Sequence, residues 1–368
     1  MVALAPEGSP AIGGTIKPMI RLAAIYHTLD LTGDPFALDP LSGTVAPLVT
    51  FEEGRAALLA WLRQRGESPS LGLITGSAGS GRTMLLAEVA SGLTADPSIT
   101  LHPVVLDDGK QTDVRLLRAI IHALGGEPAG RTGLELVNET RVLVANSIRA
   151  GNRPVIVLDD AELGGSRLEI LRSLLTPPED APAGYELRII LTGERDLRDR
   201  LARRRTLAYQ IGCTVELAPL DDDEVAVLVR SRIEGMREGN EPVAEDASPR
   251  FADDALAIVG EWSGGNPGAV IRLAGECLLE AIARGKRDVD AEIAHDVARE
   301  LTDRARQVAR AEAAAPYVLP AVQTKLALTL ADDVPVISTS QAVPAPLPAP
   351  LPAPGRTSRS RQPERSVR

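Results

Sequence analysis

The segment GSAGSGRT, residues 76–83, directly follows the apolar run LGLIT and has the glycine spacing of a phosphate-binding loop. In such a loop, successive backbone N–H groups surround a phosphate, and the amino terminus of the next helix adds its dipole. The residues that follow, TMLLAEVASGL, are typical of a helix, so the strand–loop–helix context fits the motif. The predicted phosphate-binding residues are Gly76, Ser77, Ala78, Gly79, Ser80, Gly81, Arg82 and Thr83.

Two acids end a second apolar strand, VIVLDD, further along the chain. Asp159 lies where a water-mediated Mg²⁺ ligand is expected, and Asp160 lies where a base that activates water is expected. The Thr83 hydroxyl is the predicted direct ligand of the metal. The two acids could instead cap a helix or lie in a solvated loop. Together with the glycine loop, however, they predict a site for ATP and Mg²⁺.

Strand and helix signals alternate up to about residue 219, and only helix signals follow. Five short apolar strands separated by helices predict an α/β fold, with a five-stranded parallel sheet covered by helices on both faces. A small all-helical domain is predicted after the sheet. Capping-box and N-cap patterns mark four predicted helix starts, at Thr50/Glu53, Thr132/Glu135, Asp221/Glu224 and Ser248/Pro249.

Composition shifts predict five regions along the chain. Residues 1–28 are predicted to be a loose segment, 29–219 the nucleotide-binding α/β domain, 220–315 a helical domain, 316–341 a linker, and 342–368 a proline-rich, arginine-tipped disordered tail. The tail ends with five arginines against one glutamate. It could be a plain solvated end, or a tether whose basic tip contacts an anionic surface.

Bulk composition restricts the classes of function and the compartment. Aromatic residues make up only 2% of the chain, which disfavours recognition of single-stranded nucleic acid by base stacking. The net charge of −10 disfavours electrostatic binding of nucleic acid by the whole protein but leaves a local patch possible. Cys213 and Cys277 are interpreted as small buried apolar residues. Because no apolar run reaches the about 18 residues of a spanning helix, we expect a cytoplasmic protein with no membrane span.

The order of these motifs resembles that of AAA+ ATPases of the ExeA type (general secretion pathway protein A) and of transposition ATPases such as TniB, from about Leu29 to Thr302. The matching segments are DPFALDP, LITGSAGSGRTMLL, VIVLDDAE, LRIILTGERDL, VELAPLDDDEVAVLVRSRIE and FADDALAIVGEWSGGNPGAVIRLAGECL. The resemblance implies a P-loop NTPase (AAA+) fold in which the helical domain at residues 220–315 is a lid. It further implies ATP between sheet and lid, DPFALDP near the adenine, and a homo-oligomeric ring or filament. It also implies that Thr192 contacts the attacking water, although a threonine at a strand end can equally bond to local backbone.

Four positions that concern the γ-phosphate or its hydrolysis depart from the family pattern. Arg82 replaces a lysine, and its planar fork does not reproduce the contact of a compact ammonium group. Asp160 replaces a glutamate, which retracts the carboxylate. Gly268 lies where relatives carry a sensing arginine, for which Arg272 could substitute, and Gln210 lies where relatives often have arginine.

Two functions are therefore open at this point. One is an ATPase that couples its nucleotide state to the assembly or remodelling of a partner complex of secretion or transposition type. Its partner would be an unidentified protein, with DNA as a further candidate. The other is a non-hydrolysing or slow nucleotide-gated scaffold, which the changes at Arg82 and Asp160 favour. The residues predict nucleotide binding and leave the efficiency of hydrolysis open.

Overall fold

The computed structural model describes residues 26–37, 45–66, 69–104, 112–159, 165–179, 181–182, 184–237 and 249–314. The predicted loose segment up to residue 25, the linker and the arginine-tipped tail lie outside these residues, and so does Asp160.

The predicted five-stranded parallel sheet is confirmed. Its strands are β1 (Leu71–Gly76), β2 (Ile99–Val104), β3 (Arg153–Leu158), β4 (Arg188–Gly193) and β5 (Ile211–Leu217). Their spatial order is β2-β3-β4-β1-β5, and every neighbouring pair is parallel. The carboxyl ends of β1, β3 and β4 therefore meet at one edge of the sheet, where the glycine loop and the predicted acids follow.

Helices follow the strands in the order that the sequence indicates. Those of the α/β part are α1 (Val49–Arg63), α2 (Arg82–Gly92), α3 (Asp113–Ala123), α4 (Gly133–Arg149), α5 (Gly165–Leu175), α6 (Asp196–Ala202) and α7 (Arg205–Ala208). The helices after the sheet are α8 (Asp222–Gly235), α9 (Asp253–Ser263), α10 (Pro267–Ala283) and α11 (Ala291–Ala314). Among the described helices, none is long and apolar enough to cross a membrane.

Both faces of the sheet are covered, as predicted for a parallel sheet. Alternate strand residues divide between two cores: Ile74, for example, packs on one face and Leu73 on the other. The core on the Leu73 face includes residues of α3, α4, α5 and α6. The core on the Ile74 face includes residues of α1 and α2 and continues into α8–α11. The helical region therefore packs continuously with one face of the sheet.

Two of the four predicted helix starts are confirmed and two are wrong. Thr132 and Asp221 each cap a helix in a complete capping box, with Glu135 and Glu224 as the reciprocal partners. The Thr50/Glu53 prediction is wrong because α1 begins two residues earlier, after the buried N-cap residue Leu48, whose carbonyl accepts from Glu52.

The prediction of a helix start at Pro249 is also wrong, because α9 begins only at Asp253; its predicted N-cap Ser248 lies outside the described residues. The intervening backbone is extended and bonds to a distant segment: Ala252 N donates to Val289 O, and Val289 N donates to Arg250 O. Local capping chemistry is overridden here by a long-range bridge between Phe251 and Val289.

Arg188 closes the amino-terminal edge of the sheet, where β4 begins. It is buried, and its guanidinium donates to the carbonyl oxygens of Trp61 and Gln64 and to the Glu186 carboxylate, with Nε 2.8 Å from Oε1. It also lies over the Trp61 ring, 5.0 Å from the centroid. Burial lowers the pKa of Arg188, and Glu186 partly offsets that effect. Every nitrogen of this buried arginine thus has an acceptor.

Candidate nucleotide-binding site

The glycine loop connects the end of β1 to the start of α2. Gly79 and Gly81 have φ values of +79° and +93°, in the left-handed region that favours glycine. At Gly76, a Cβ atom would lie 3.1 Å from the Leu217 carbonyl oxygen and closer still to the Ser80 hydroxyl. The first-turn N–H groups of α2 have no acceptor within the helix and carry its positive dipole end. The loop therefore has the backbone form that an anion site needs.

Three polar side chains from separate elements meet beside this loop. The Thr83 hydroxyl, at the start of α2, donates to Asp159 Oδ2 at 3.1 Å. The Thr192 hydroxyl, near the end of β4, donates to Asp159 Oδ1. Asp159 directly follows β3, and Thr192 is fully buried. The structure thus brings together Thr83, Asp159 and Thr192, for which the sequence predicts roles around the metal and the attacking water.

Arg82, which replaces the expected lysine, is bent back onto the base of the loop. Its side chain is buried, and Nη1 donates to the Gly76 carbonyl oxygen at 3.1 Å. The guanidinium therefore braces the loop from within, because it joins the last residue of β1 to the first residue of α2. The same side chain also lines the cavity described below.

The helical region contacts the loop directly at the start of α10. Asn266 caps this helix by accepting from Ala269 N at 3.1 Å, and its Nδ2 donates to Ala78 O at 2.8 Å and to Ser77 Oγ at 3.2 Å. Gly268 N donates to Gly79 O at 2.9 Å. A Cβ atom on Gly268 would lie 3.2 Å from both Gly79 Cα and Gly79 O, so a side chain at this position would press on the loop.

A cavity of about 310 Å³ lies between the loop, α1 and the helical region. One end is formed by loop residues 78–83 together with Pro267 and Gly268. Apolar residues form much of the remaining wall, among them Ala37, Val45, Ala46, Leu48, Phe51, Leu228 and Ile271. Among the described lining residues, the only charged side chains are those of Arg82 and Arg232, and none is acidic. The cavity therefore suits an anion attached to an apolar group.

The DPFALDP segment reaches this cavity through Ala37. Phe36 is buried and makes an edge contact with Phe251, at 5.9 Å between centroids, and Gly275 of α10 leaves room for it. Asp34 Oδ1 accepts from Phe36 N at 2.9 Å. This segment is thus fixed to the helical region, with its later residues 38–40 outside the described part of the chain.

Arg232 is a cavity residue that the motif analysis does not identify. It is 5% exposed, and its Nε and Nη1 have no hydrogen-bond partner among the described residues. Burial lowers the pKa of its guanidinium, and the charge of Asp34 partly offsets that effect. The available sequence signal is helical spacing, because Arg232 falls on the buried face of α8 with Val225 and Leu228.

Other predicted positions lie away from the loop or cannot be located. Arg272 is exposed on α10, whereas its neighbour Ile271 lines the cavity. Gln210 precedes β5, and its carbonyl accepts from Leu71 N, so it lies at the amino-terminal edge of the sheet, opposite the loop. Asp160, the predicted base, is outside the described residues. The roles proposed for these residues stay predictions.

Comparison with known proteins supports the fold. Residues 64–201 match the model of the AAA domain family. The structure is similar to that of Cdc6p from Pyrobaculum aerophilum, with a TM-score of 0.52, 18% identity, and coverage of 69% of this chain and 67% of that one. It is also similar to the Aeropyrum pernix ORC1 protein in complex with DNA, with a TM-score of 0.54, 18% identity, and coverage of 75% and 71%.

A third similar structure contains nucleotides. The Aeropyrum pernix ORC2 protein in its ADPNP–ADP complexes matches with a TM-score of 0.50, 17% identity, and coverage of 72% of this chain and 70% of that one. No curated protein sequence matches the chain. The chain therefore has a P-loop AAA+ fold like that of the Cdc6/ORC structures, with a match to the AAA domain model over residues 64–201 and a helical region after the sheet.

Proposed function

We propose that this chain binds ATP with Mg²⁺ at the glycine loop and couples its nucleotide state to the assembly or remodelling of a partner complex. The observation that carries the proposal is the meeting of Thr83, Asp159 and Thr192 beside a loop that forms one end of a cavity whose described lining residues include no acid. A triphosphate on the loop and a nucleoside against the apolar wall would use both ends of that cavity.

The side chains present fit a magnesium ion. The Thr83 hydroxyl and the Asp159 carboxylate are hard oxygen ligands, and they already lie 3.1 Å apart. Thr83 would bind the ion directly, and Asp159 would hold it through water. When bound, the ion neutralises the charge that develops on the phosphates. The Thr83–Asp159 hydrogen bond keeps both oxygen groups directed at the same position before the ion arrives.

Hydrolysis would require a water held in line with the γ-phosphate. Thr192 is the residue that we propose orients this water, because its hydroxyl is fixed beside Asp159 at the end of β4. Asp160 is the proposed base. Backbone N–H groups of residues 79–83 would hold the phosphates, and Arg82 would keep the loop in shape through its bond to Gly76 O.

Coupling to a partner would pass through the start of α10. Asn266 and Gly268 hydrogen-bond to loop residues 77–79, so a loop that changes shape around phosphate would pull on the helical region. We propose a homo-oligomer in the cytoplasm, with a protein partner of secretion or transposition type as the sequence resemblance implies. One similar structure is of a protein in complex with DNA, so DNA is retained as a second candidate partner.

A slow nucleotide-gated scaffold is the second candidate function. The specific observation that favours it is that Arg82 is already engaged with Gly76 O, while Gly268 offers only a backbone N–H to the loop. Such a site has fewer positively charged side chains that can move to the γ-phosphate. Positively charged groups at that position supply much of the catalysis of phosphoryl transfer.

Equilibrium ATP binding and steady-state hydrolysis, measured for the wild type, Arg82→Lys and Asp160→Glu, separate the two functions. Ordinary turnover by the wild type, unimproved by either change, would rule out the scaffold. Tight ATP binding with turnover that appears only in the variants would rule out the remodelling ATPase. Absence of ATP binding would overturn both. Adding duplex DNA to the same assays tests the second partner.

A further inference from the structure

Arg232 differs from Arg82, the other charged residue of the cavity wall. Arg82 donates a hydrogen bond to Gly76 O, whereas no hydrogen bond within the described residues compensates for the burial of Arg232 Nε and Nη1. Leaving a buried charged donor without an acceptor is unfavourable, and most buried polar groups are therefore hydrogen-bonded. Nε and Nη1 of Arg232 are enclosed and without a partner among the described residues, although the residue forms part of the cavity wall. Its position is thus explained poorly by the stability of the protein alone.

Arg232 lies in the last turn and a half of α8, away from the start of that helix. The start of α8 is near the loop region, because Leu220 N donates to Gly265 O while Gly268 N donates to Gly79 O. Arg232 is ten residues beyond Asp222, which at the rise of an α-helix is about 15 Å along the axis. The charge of Asp34, three residues before the cavity residue Ala37, acts on the Arg232 guanidinium. The spacing along α8 and the influence of Asp34 both favour a position of Arg232 in the part of the cavity away from the loop.

We propose that Arg232 binds the nucleoside half of the nucleotide, its guanidinium donating hydrogen bonds to acceptors of the base and ribose. This inference rests on the proposed function, since it names the residue that holds the part of ATP farthest from the glycine loop. A nucleoside offers ring-nitrogen and hydroxyl acceptors, and a guanidinium has five N–H donors with no acceptor of its own. Among the described residues lining the cavity, no other charged donor lies on the side away from the loop.

The test compares Arg232→Met with Arg230→Met on the same helix. Methionine is long and apolar, so it fills a similar space without a charge. Arg230 is exposed and pairs with Asp253 at 2.9 Å, and it is therefore a matched control outside the cavity. Dissociation constants are measured by competition against a fluorescent ATP analogue, for ATP and for inorganic tripolyphosphate, which has no base or ribose. Thermal unfolding without nucleotide is measured in parallel.

We expect Arg232→Met to weaken ATP binding by about 10- to 100-fold, as for the loss of hydrogen bonds to a charged group. Tripolyphosphate affinity should change less than about twofold, within the range of a side chain that does not touch the phosphates. The melting temperature without nucleotide should not fall, because an apolar residue replaces an unpartnered buried charge. Arg230→Met should match the wild type in ATP and tripolyphosphate binding.

Two results would overturn the inference while leaving the proposed function intact. One is an ATP affinity of Arg232→Met within twofold of the wild-type value. The other is an equal loss of affinity for ATP and tripolyphosphate, which would assign the arginine to the phosphates or to the fold. If Arg232→Met does not fold, Arg232→Gln supplies the same comparison with a neutral polar side chain. Failure of the wild type itself to bind ATP would instead overturn the proposed function, and the inference with it.

Discussion

Two buried arginines, Arg188 at the amino-terminal edge of the sheet and Arg232 on α8 in the cavity wall, differ in their hydrogen bonding. Arg188 has an acceptor for every nitrogen, and its guanidinium lies over the Trp61 ring. Arg232 is also buried, but its Nε and Nη1 have no acceptor among the described residues. Burial lowers the pKa of both. The difference indicates that Arg188 stabilises the fold, and it supports the proposal that Arg232 binds a ligand.

The largest expected effect comes from removing the satisfied arginine. Arg188→Met would remove a buried guanidinium from the Trp61 and Gln64 carbonyls and from the Glu186 carboxylate. Arg153 would remain as the partner of Gln64 O and Glu186, and the Gln64 N–H as the donor to Trp61 O. We expect the free energy of unfolding to fall by about 3–5 kcal/mol, the usual cost of breaking a buried pair. Chemical denaturation measures this loss, with the exposed Arg172→Met as a control. A loss no greater than that of Arg232→Met would contradict the difference drawn between the two arginines.

A smaller effect, confined to the ligand, is expected from Asp159→Asn at the carboxyl-terminal edge. The amide keeps the size of the side chain but removes the charge that would hold Mg²⁺, so the metal-dependent part of ATP affinity should fall by about 10- to 100-fold. Titrations with ATP in Mg²⁺ and in EDTA measure that part. Binding in EDTA should stay at the wild-type level. If the variant loses affinity equally in both conditions, Asp159 acts on the loop and not on the metal.

The contact between the loop and α10 should give a smaller effect than Asp159→Asn, and this effect is on stability. Asn266→Ala removes both the helix cap and the two bonds to the loop, and we expect a loss of about 1–2 kcal/mol in the free energy of unfolding. Asn266→Ser retains a capping side chain that is too short for the loop, so it isolates the loop bonds. The two variants should differ in their free energy of unfolding without ATP. The increase in that free energy on addition of ATP should change equally in both. If the increase in Asn266→Ser equals that of the wild type, the bonds from Asn266 to the loop do not couple ATP binding to the helical region.

The smallest effect is expected at a cap remote from both edges. Thr132→Ala removes the side chain that accepts from Glu135 N at 3.3 Å, and about 1 kcal/mol of stability should be lost. Nucleotide affinity should not change, because α4 lies on the face of the sheet opposite α1 and the helical region. Thr132→Ala therefore shows how much stability is lost by a substitution that does not affect the site. Any change in its ATP affinity would show that stability and binding are not separable in this protein.

The sequence predicted those features that depend on neighbours along the chain. The five strands followed from short apolar runs, and the caps at Thr132 and Asp221 followed from side chains three residues apart. The form of the glycine loop was predictable because Gly79 and Gly81 alone allow its left-handed turns. Thr83 and Asp159 could be paired in advance because a motif fixes the first and a strand end fixes the second.

Features that depend on distant segments were missed. The start of α9 was placed too early because the bridge to Val289 lies almost forty residues away in sequence and competes with local capping. Arg232 was missed because the segment VRSRIEG reads as an ordinary charged helix, and its neighbour Arg230 is indeed exposed. Helical spacing with Val225 and Leu228 separates Arg232 from Arg230, but only the tertiary structure shows that a cavity lies beside it. Tertiary burial, not residue type, marks this part of the site.

The central claim is that the glycine loop, Thr83 and Asp159 bind ATP together with Mg²⁺. The most direct measurement is the dissociation constant of the full chain for ATP, by calorimetry, with Mg²⁺ and with EDTA. We predict saturable binding of one ATP per chain that is at least about tenfold tighter in Mg²⁺. Failure to bind ATP in either condition, or an affinity that is the same in both, would contradict the claim.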